Sequence, residues 1–298
     1  MNFIKELKKI KCGKIITDIN LKDYTSYKLN GKAKVIVFPK NKQELINLIK
    51  FIKDNNIEYK IIGNGSNLIF VKPVYEGILI KLSEFDELEI NKNIIEVGAG
   101  YNLIKLALKV SRLGLTGMEF ATGIPGSVGG AVYMNAGAYK SDMGYIVKKI
   151  KVLTPNLEIK EMTNRELDFH YRTSFLQKNP GYICLSATIV LRKGDKDIIM
   201  EIINDRKKRR LETQPLEYPS AGSVFRNPKD DFAGRLIEEI GYKGKTNGGA
   251  QVSEKHANFI INIKDATGKD IYELIQDIKS KVKEKYDIEL KVEQEIVE

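Results

Sequence analysis

The stretch GIPGSVGGAVYMNAGAYK at 123–140 sets the tightest limit on how this chain can fold. Five of its eighteen residues are Gly and three are Ala, and its single charge is Lys140, in a chain that is 30% charged. A flexible linker would be Gly/Ser-rich and polar. This stretch instead carries Ile124, Val128, Val132, Tyr133 and Met134, which favour burial. Glycine has no Cβ, so a backbone written this way can approach another surface closely. That surface is either a large ligand, whose phosphate oxygens peptide N–H groups can meet in a nest, or a second structural element packed against the glycines.

At 298 residues and 42% hydrophobic, the chain has the material for two or three domains and a sizeable core. No apolar run reaches the roughly 18 residues of a membrane span. The start, MNFIKELKKIKCGK, puts Lys and Glu where a secretory signal has its apolar centre. A cytoplasmic protein is expected. Cys12 and Cys184 show no metal-like spacing, and with His170 and His256 as the two histidines no zinc site is expected. Both cysteines are expected to stay reduced. The net charge of +10 suits a nucleic acid or a small phosphorylated substrate equally. The densest basic run, Arg206 to Arg210, follows IIMEIIND and reads as the solvated end of a helix.

Short β-rich runs alternate with helical ones. KVIVF (34–38), YKIIG (59–63), GILIKL (77–82), NIIEVGAG (93–100) and VKKIKVL (147–153) read as strands. ICLSATIVL (183–191) alternates Ile183, Leu185, Ala187, Ile189 and Leu191, the pattern of a half-buried strand. QELINLIKFIKDNN (43–56) reads as a helix with Leu45, Leu48, Ile49 and Ile52 on one stripe. NLIKLALKVSRLGL (102–115) reads as another, closed by Gly114. A helix at 195–214 leads into a link bracketed by Pro215 and Pro219, expected to be rigid and extended. The last part holds FAGRLIEEIG (232–241), NFIINI (258–263), a helix at 269–286 and a closing strand at IELKV (288–292).

Four clusters carry chemistry. Gly63-Asn64-Gly65-Ser66-Asn67 directly follows a strand and reads as a phosphate cradle or as a plain hairpin turn. It is neither a Walker loop nor a dinucleotide fingerprint opening a helix, because Leu-Ile-Phe-Val follows. With the 123–140 stretch it makes two separated cradles, the arrangement a dinucleotide such as FAD would need. Tyr171-Arg172-Thr173-Ser174-Phe175 sets an Arg among aromatic residues, as a carboxylate fork or as a snorkelling surface side chain. Ala221-Gly222-Ser223-Val224-Phe225-Arg226-Asn227-Pro228 does not satisfy the nucleophile-elbow pattern, since Phe225 stands at the second Gly.

GNGSNL, EFATGIPGSVGGAVYMNAGAY, YRTSF, PSAGSVFRNP and GGAQVSEKHANFIIN, in this order and spacing, resemble the UDP-N-acetylenolpyruvoylglucosamine reductase family, from about Thr25 to Glu293. The resemblance implies an α+β fold. Its FAD-binding region is two-lobed, of the vanillyl-alcohol oxidase/PCMH type (1–82 and 83–205), followed by a C-terminal α+β substrate-binding domain (206–298) in the family's compact class. It implies non-covalent FAD held by Gly63, Asn64, Gly65, Ser66 and Asn67 and by Gly123, Ile124, Pro125, Gly126, Ser127, Gly129, Gly130, Asn135, Gly137 and Ala138. The family's catalytic Arg, Ser and Glu fall on Arg172, Ser223 and Glu293, and substrate contacts on Tyr171, Arg226 and Asn227. Around Glu293 the family motif Leu-Glu-x-Glu-Val is broken: Lys291 stands for the first Glu, Gln294 for the Val, and Asp287 for an earlier Gly. Spacing from Tyr286 and Leu290 still selects Glu293 over Glu289 and Glu295.

The implied activity is NADPH-dependent reduction of UDP-N-acetylglucosamine enolpyruvate to UDP-N-acetylmuramate in peptidoglycan precursor synthesis. It involves no metal, nucleic acid or membrane. Arg172 would stabilise negative charge beside the substrate carboxylate, Ser223 would donate the proton, and a protonated Glu293 would polarise the carboxylate. An oxidase on the same scaffold and a non-catalytic nucleotide-binding protein are the rival readings, and neither requires Arg172, Ser223 and Glu293 together.

Overall fold

The computed structural model describes residues 3–298. Contacts divide the chain into two compact units that alternate along the sequence. One takes residues up to 17, 35–63 and 77–207, and the other takes 18–34, 64–76 and 208–298. The boundaries expected from the sequence, at 82/83 and 205/206, fall elsewhere.

The first unit is built on a five-stranded antiparallel sheet, ordered Ile159–Thr163, Val147–Leu153, Ile183–Val190, Ile94–Gly98, Leu88–Asn91. In the middle strand Ala187 pairs with Ile150 on one side and Val97 on the other. The half-buried pattern expected there is overridden, because Cys184 and Thr188 are buried together with Ile183, Leu185, Ala187 and Ile189. A middle strand has no edge, and the Val128–Met134 helix also packs on it. Leu103–Arg112 is the expected amphipathic helix. Asn102 caps it by accepting the Lys105 N–H at 2.9 Å, and Gly114 follows at φ +72°, the left-handed geometry of a C′ glycine.

A four-stranded sheet runs Lys14–Asn20, Lys32–Phe38, Val74–Lys81, Tyr59–Ile62, and its last pair is parallel. The boundaries 17/18, 34/35 and 76/77 fall inside three of its strands. The helix Lys42–Asp54 buries Leu45, Leu48, Ile49 and Ile52, the stripe read from the sequence.

The second unit contains a three-stranded antiparallel sheet, Thr246–Asn247, Ala250–Val252, Ile260–Asn262, with the helices Ala233–Glu239 and Gly268–Tyr286. The longer helix opens on a capping box: Thr267 accepts from the Asp270 N–H, and Asp270 accepts from the Thr267 N–H. Two expectations are corrected here. IELKV at 288–292 is not a strand. Asp287, at φ 57°, turns the chain out of the helix, Val292 makes a single bridge to Phe225, and ladder pairing starts only at Glu295–Val297, parallel to Leu68–Phe70. Nor is the link between the prolines extended, because the Tyr218 N–H closes a turn on the Pro215 carbonyl at 3.2 Å. The basic run lies in the last turns of the helix Lys196–Thr213, with Lys207, Lys208 and Arg209 exposed. Among the described residues no helix is long and apolar enough to cross a membrane.

Both cysteines sit in the core of the first unit. Burial pushes the Cys184 thiol up to about 12; burial, with the Glu44 carboxylate adding to it, pushes Cys12 up to about 11. The thiolate is the reactive form, and neither residue holds it at neutral pH. A thiol-specific disulfide reagent is therefore expected to leave the native protein unlabelled and to label both cysteines after denaturation. Rapid stoichiometric labelling of the native protein would contradict this account of the core.

Candidate active site

Gly63, the first residue of one glycine-rich segment, lies against Ser127 of the other within the first unit. The strands flanking GNGSN, Tyr59–Ile62 and Leu68–Phe70, belong to different sheets, so the loop is not the turn of a hairpin. A Cβ built on Gly63 would lie 2.5 Å from the Ser127 hydroxyl oxygen. Ser127 in turn caps the helix Val128–Met134, accepting the Gly130 N–H at 3.3 Å. The glycines of this helix have different reasons. At Gly129 the packing alternative holds: its N–H donates to the Ala99 carbonyl at 2.8 Å, and a Cβ there would sit 2.8 Å from the Ala99 Cβ. At Gly130 a Cβ would meet nothing nearer than the Ser127 hydroxyl oxygen at 3.5 Å. Protein packing does not explain that glycine.

A charged residue that motif reading missed joins this cradle. Lys81 ends the strand Val74–Lys81 and donates its ammonium to the Gly63 carbonyl. Burial pushes its pKa below the usual lysine value. A desolvated cation beside two neutral loops is what a cofactor diphosphate would meet, so the residues present fit FAD. The signal in the sequence is a lysine inside the otherwise apolar GILIKL. Further along the first loop, in the second unit, Gly65 at φ +60° lets the backbone lie against the Tyr24 carbonyl, with which any Cβ would collide.

The arginine loop is tied to the second half of the glycine stretch. Arg172, half-buried, donates from Nη2 to the Gly137 carbonyl at 2.7 Å, and its guanidinium lies 5.1 Å from the centre of the Tyr171 ring. Ser174 donates its hydroxyl to the Tyr133 carbonyl at 2.7 Å. Asn135 donates Nδ2 to the His170 carbonyl at 2.8 Å and accepts the Gly144 N–H at 2.9 Å. The motif puts Asn135 among the cofactor contacts. Its side chain is 2% exposed and both ends of its carboxamide meet backbone, so what it holds is the arginine loop. Arg172 itself has φ 54°, uncommon for a non-glycine residue. Such geometry persists where the surroundings over-determine it, as these ties do. Ala138 pairs with Ser141 across a two-residue ladder.

Ser223 and Glu293 come together in the second unit. Ser223 bridges Phe259, Phe225 bridges Val292, and the Glu293 N–H donates to the Val224 carbonyl at 2.8 Å. Asn258 grips the Phe225 peptide at both ends, accepting its N–H at 2.9 Å and donating to its carbonyl at 2.8 Å. Asn67, from the glycine loop, donates to the Glu293 carbonyl at 3.2 Å and accepts the Glu295 N–H on its own carbonyl at 2.8 Å. Beside Ser223 and Asn227 opens a cavity of about 370 Å³, with Arg235, Lys243, Lys255 and His256 in its wall. Asn227 accepts the Ala233 N–H at 3.1 Å, while Arg226, half-buried, is fixed through its backbone to Lys291. His256 accepts the Asn258 N–H on Nδ1 at 3.2 Å, and burial pushes its pKa down. The ring is therefore neutral with its proton on Nε2. Lys243, Lys255 and His256 escaped the reading by motif, although GGAQVSEKHANFIIN contains the last two.

A family model described as FAD binding domain matches residues 33–163, and one described as UDP-N-acetylenolpyruvoylglucosamine reductase, C-terminal domain, matches 214–297. The chain is 46% identical over 296 residues to the UDP-N-acetylenolpyruvoylglucosamine reductase of Bacillus licheniformis, covering 99% of this chain and 97% of that one. It is 43% identical over 295 residues to the enzyme of that name from Bacillus subtilis, again covering 99% and 97%. The crystal structure of UDP-N-acetylenolpyruvylglucosamine reductase from Thermus caldophilus matches with a TM-score of 0.81 at 32% identity, over 96% of this chain and 98% of that one. A variant of Phl p 4 described as a glucose oxidase matches at 12% identity and a TM-score of 0.50 over 66% of this chain and 45% of that one, a likeness of fold alone. With identity this high kept over almost the whole length, the chain belongs to the UDP-N-acetylenolpyruvoylglucosamine reductase family.

Proposed function

We propose that Arg172, Ser223 and Glu293 carry the family's reaction in this chain, the NADPH-dependent reduction of UDP-N-acetylglucosamine enolpyruvate. In this reading Gly63–Asn67 and the glycine stretch from Gly123 to Ala138 hold FAD, 1–82 and 83–205 form its two lobes, and 206–298 takes the sugar nucleotide. When bound, FAD supplies the two-electron relay between NADPH and the enolpyruvyl double bond. The observation that carries the reading is the Glu293 N–H bond to the Val224 carbonyl, which sets Glu293 against the Ser223 segment beside a cavity lined by Arg235, Lys243, Lys255 and Glu238.

The chain's own groups then have defined work. Hydride arriving at the vinyl carbon far from the carboxylate leaves negative charge on the carbon beside it. Arg172, held by the Gly137 carbonyl, is a fixed cation for that charge. The Ser223 O–H donates its proton to the carbon beside the carboxylate and recovers one from solvent. The net change is one hydride and one proton added across the double bond. Glu293, protonated, hydrogen-bonds the substrate carboxylate and draws charge from it. Tyr171, Arg226 and Asn227 contact the sugar nucleotide, whose diphosphate suits the cations of the cavity. A nucleotide-sugar reduction that feeds cell-wall synthesis belongs in the cytoplasm, where NADPH is supplied.

The ordinary contact at Gly130 and the close contact at Gly129 make separable expectations. Gly130→Val should fold with unchanged thermal stability and bind little FAD. Gly129→Val should lose stability, since its side chain meets Ala99. Full flavin occupancy in Gly130→Val would return that glycine to packing.

Ser223 is tested by separating the half-reactions in anaerobic stopped-flow. Ser223→Ala should leave flavin reduction by NADPH untouched and slow reoxidation by the enolpyruvyl sugar on the order of 10²–10⁴-fold, the usual worth of a general acid. Ser223→Cys should recover part of that rate. Equal slowing of both half-reactions would make Ser223 a structural or cofactor contact.

A further inference from the structure

Gln294 stands where the resemblance led to Val, and it is 4% exposed. A carboxamide is not a neutral exchange for an isopropyl group in a core, because its N–H and C=O groups must all find partners. Here they do. Nε2 lies 3.1 Å from the Ala221 carbonyl oxygen, 3.3 Å from that of Gly222 and 3.4 Å from that of Ser223. Oε1 lies 2.9 Å from the Tyr27 hydroxyl. The orientation of the amide follows from its surroundings. Carbonyls only accept, so the face turned to them must be the NH₂, and that leaves Oε1 to take the Tyr27 O–H.

Tyr27 is fully buried, and its own backbone is held in place, since Asn262 donates Nδ2 to the Tyr27 carbonyl at 2.8 Å. The chain on either side of Gln294 is held too, through the Asn67 contacts with Glu293 and Glu295. Gly222, at φ +75°, curls the backbone so that three successive carbonyls face one amide. The Gln294 side chain therefore joins the segment before Ser223 to the residue after Glu293 through bonds that no apolar side chain could make.

We infer that Gln294, oriented by Tyr27, is a positioning residue that sets the Ser223 hydroxyl relative to Glu293 for the proton-donating step. The inference rests on the reading of Ser223 as proton donor. Gln294 touches no reacting atom and acts through the 221–223 backbone.

The test uses the FAD-loaded full chain in two separated half-reactions, with melting temperature measured alongside. Gln294→Met keeps length and burial but removes both amide groups. It should slow reoxidation by the enolpyruvyl sugar by about 10- to 100-fold, the range expected when a reacting group is misplaced by about an ångström. Flavin reduction by NADPH and KM for the sugar should not change. In a Ser223→Ala background the same substitution should add nothing. Gln294→Glu keeps the acceptor for Tyr27 but turns a carboxylate toward three carbonyls. Burial and the facing carbonyls disfavour its charged form, so that carboxyl keeps its proton above the usual carboxylate range and donates to them, and its rate relative to wild type should fall as pH rises and the proton is lost.

A Gln294→Met protein that slows both half-reactions alike, or neither, would overturn the inference and leave Gln294 a packing residue. So would a Gln294→Glu protein whose relative rate ignores pH. If Ser223→Ala itself leaves reoxidation unchanged, the proton-donor reading fails first. If Ser223→Ala slows reoxidation while Gln294→Met does not, the positioning role alone is wrong.

Discussion

The two hydrogen bonds between the Asn258 carboxamide and the Phe225 peptide hold the segment from Ser223 to Arg226 where it is. That segment is not part of any extended sheet. It has single bridges, to Phe259 on one side and Val292 on the other, and without a ladder its register would be poorly specified. A buried carboxamide that meets both ends of one peptide supplies the missing specification. It also leaves neither group unsatisfied, and an unsatisfied buried polar group would cost about 1–3 kcal/mol.

The same device recurs wherever a loop of the proposed chemistry needs to be held. Asn135 ties the arginine loop, Asn262 ties Tyr27 and Lys28, and Gln294 ties 221–223. Each of these side chains is buried. Carboxamides suit the task because they donate and accept without carrying charge. An acid or base at these positions would titrate, or would shift the pKa values of groups that must hold or release protons during turnover. Charged groups near the site are Lys81, on the Gly63 carbonyl, and Arg235, Lys243 and Lys255 in the cavity wall beside Ser223, where Glu238 pairs with Lys243 at 2.8 Å.

Much of this was legible in the sequence. Periodicity located the helices at 42–54, 103–112 and 268–286 and the strands of the five-stranded sheet that carry alternating apolar residues. Ordered motifs identified the family and its cofactor. Periodicity failed where pairing, not side-chain pattern, decides. IELKV has the composition of a strand, yet the backbone it would pair with lies opposite Glu295–Val297. Composition could not separate Gly129 from Gly130, since a Cβ on one would crowd Ala99 and on the other would meet only the Ser127 hydroxyl at an ordinary 3.5 Å. Asn135 stood in a cofactor-facing motif, and only its hydrogen bonds show that its side chain serves the arginine loop. Lys243 lay outside the motifs, and Lys81 and His256 carried a sequence signal whose meaning shows only once the chain brings Lys81 to Gly63 and His256 to the cavity beside Ser223.

A member of this family passes electrons from NADPH to an enolpyruvyl sugar nucleotide through bound FAD. An anaerobic titration of the purified wild-type protein, followed by its visible flavin absorbance, tests it most directly. NADPH should bleach the flavin stoichiometrically, and UDP-N-acetylglucosamine enolpyruvate should then restore the colour stoichiometrically, with UDP-N-acetylmuramate as the product. A flavin that stays bleached with the sugar nucleotide and recolours only when oxygen is admitted would contradict the account and point to an oxidase.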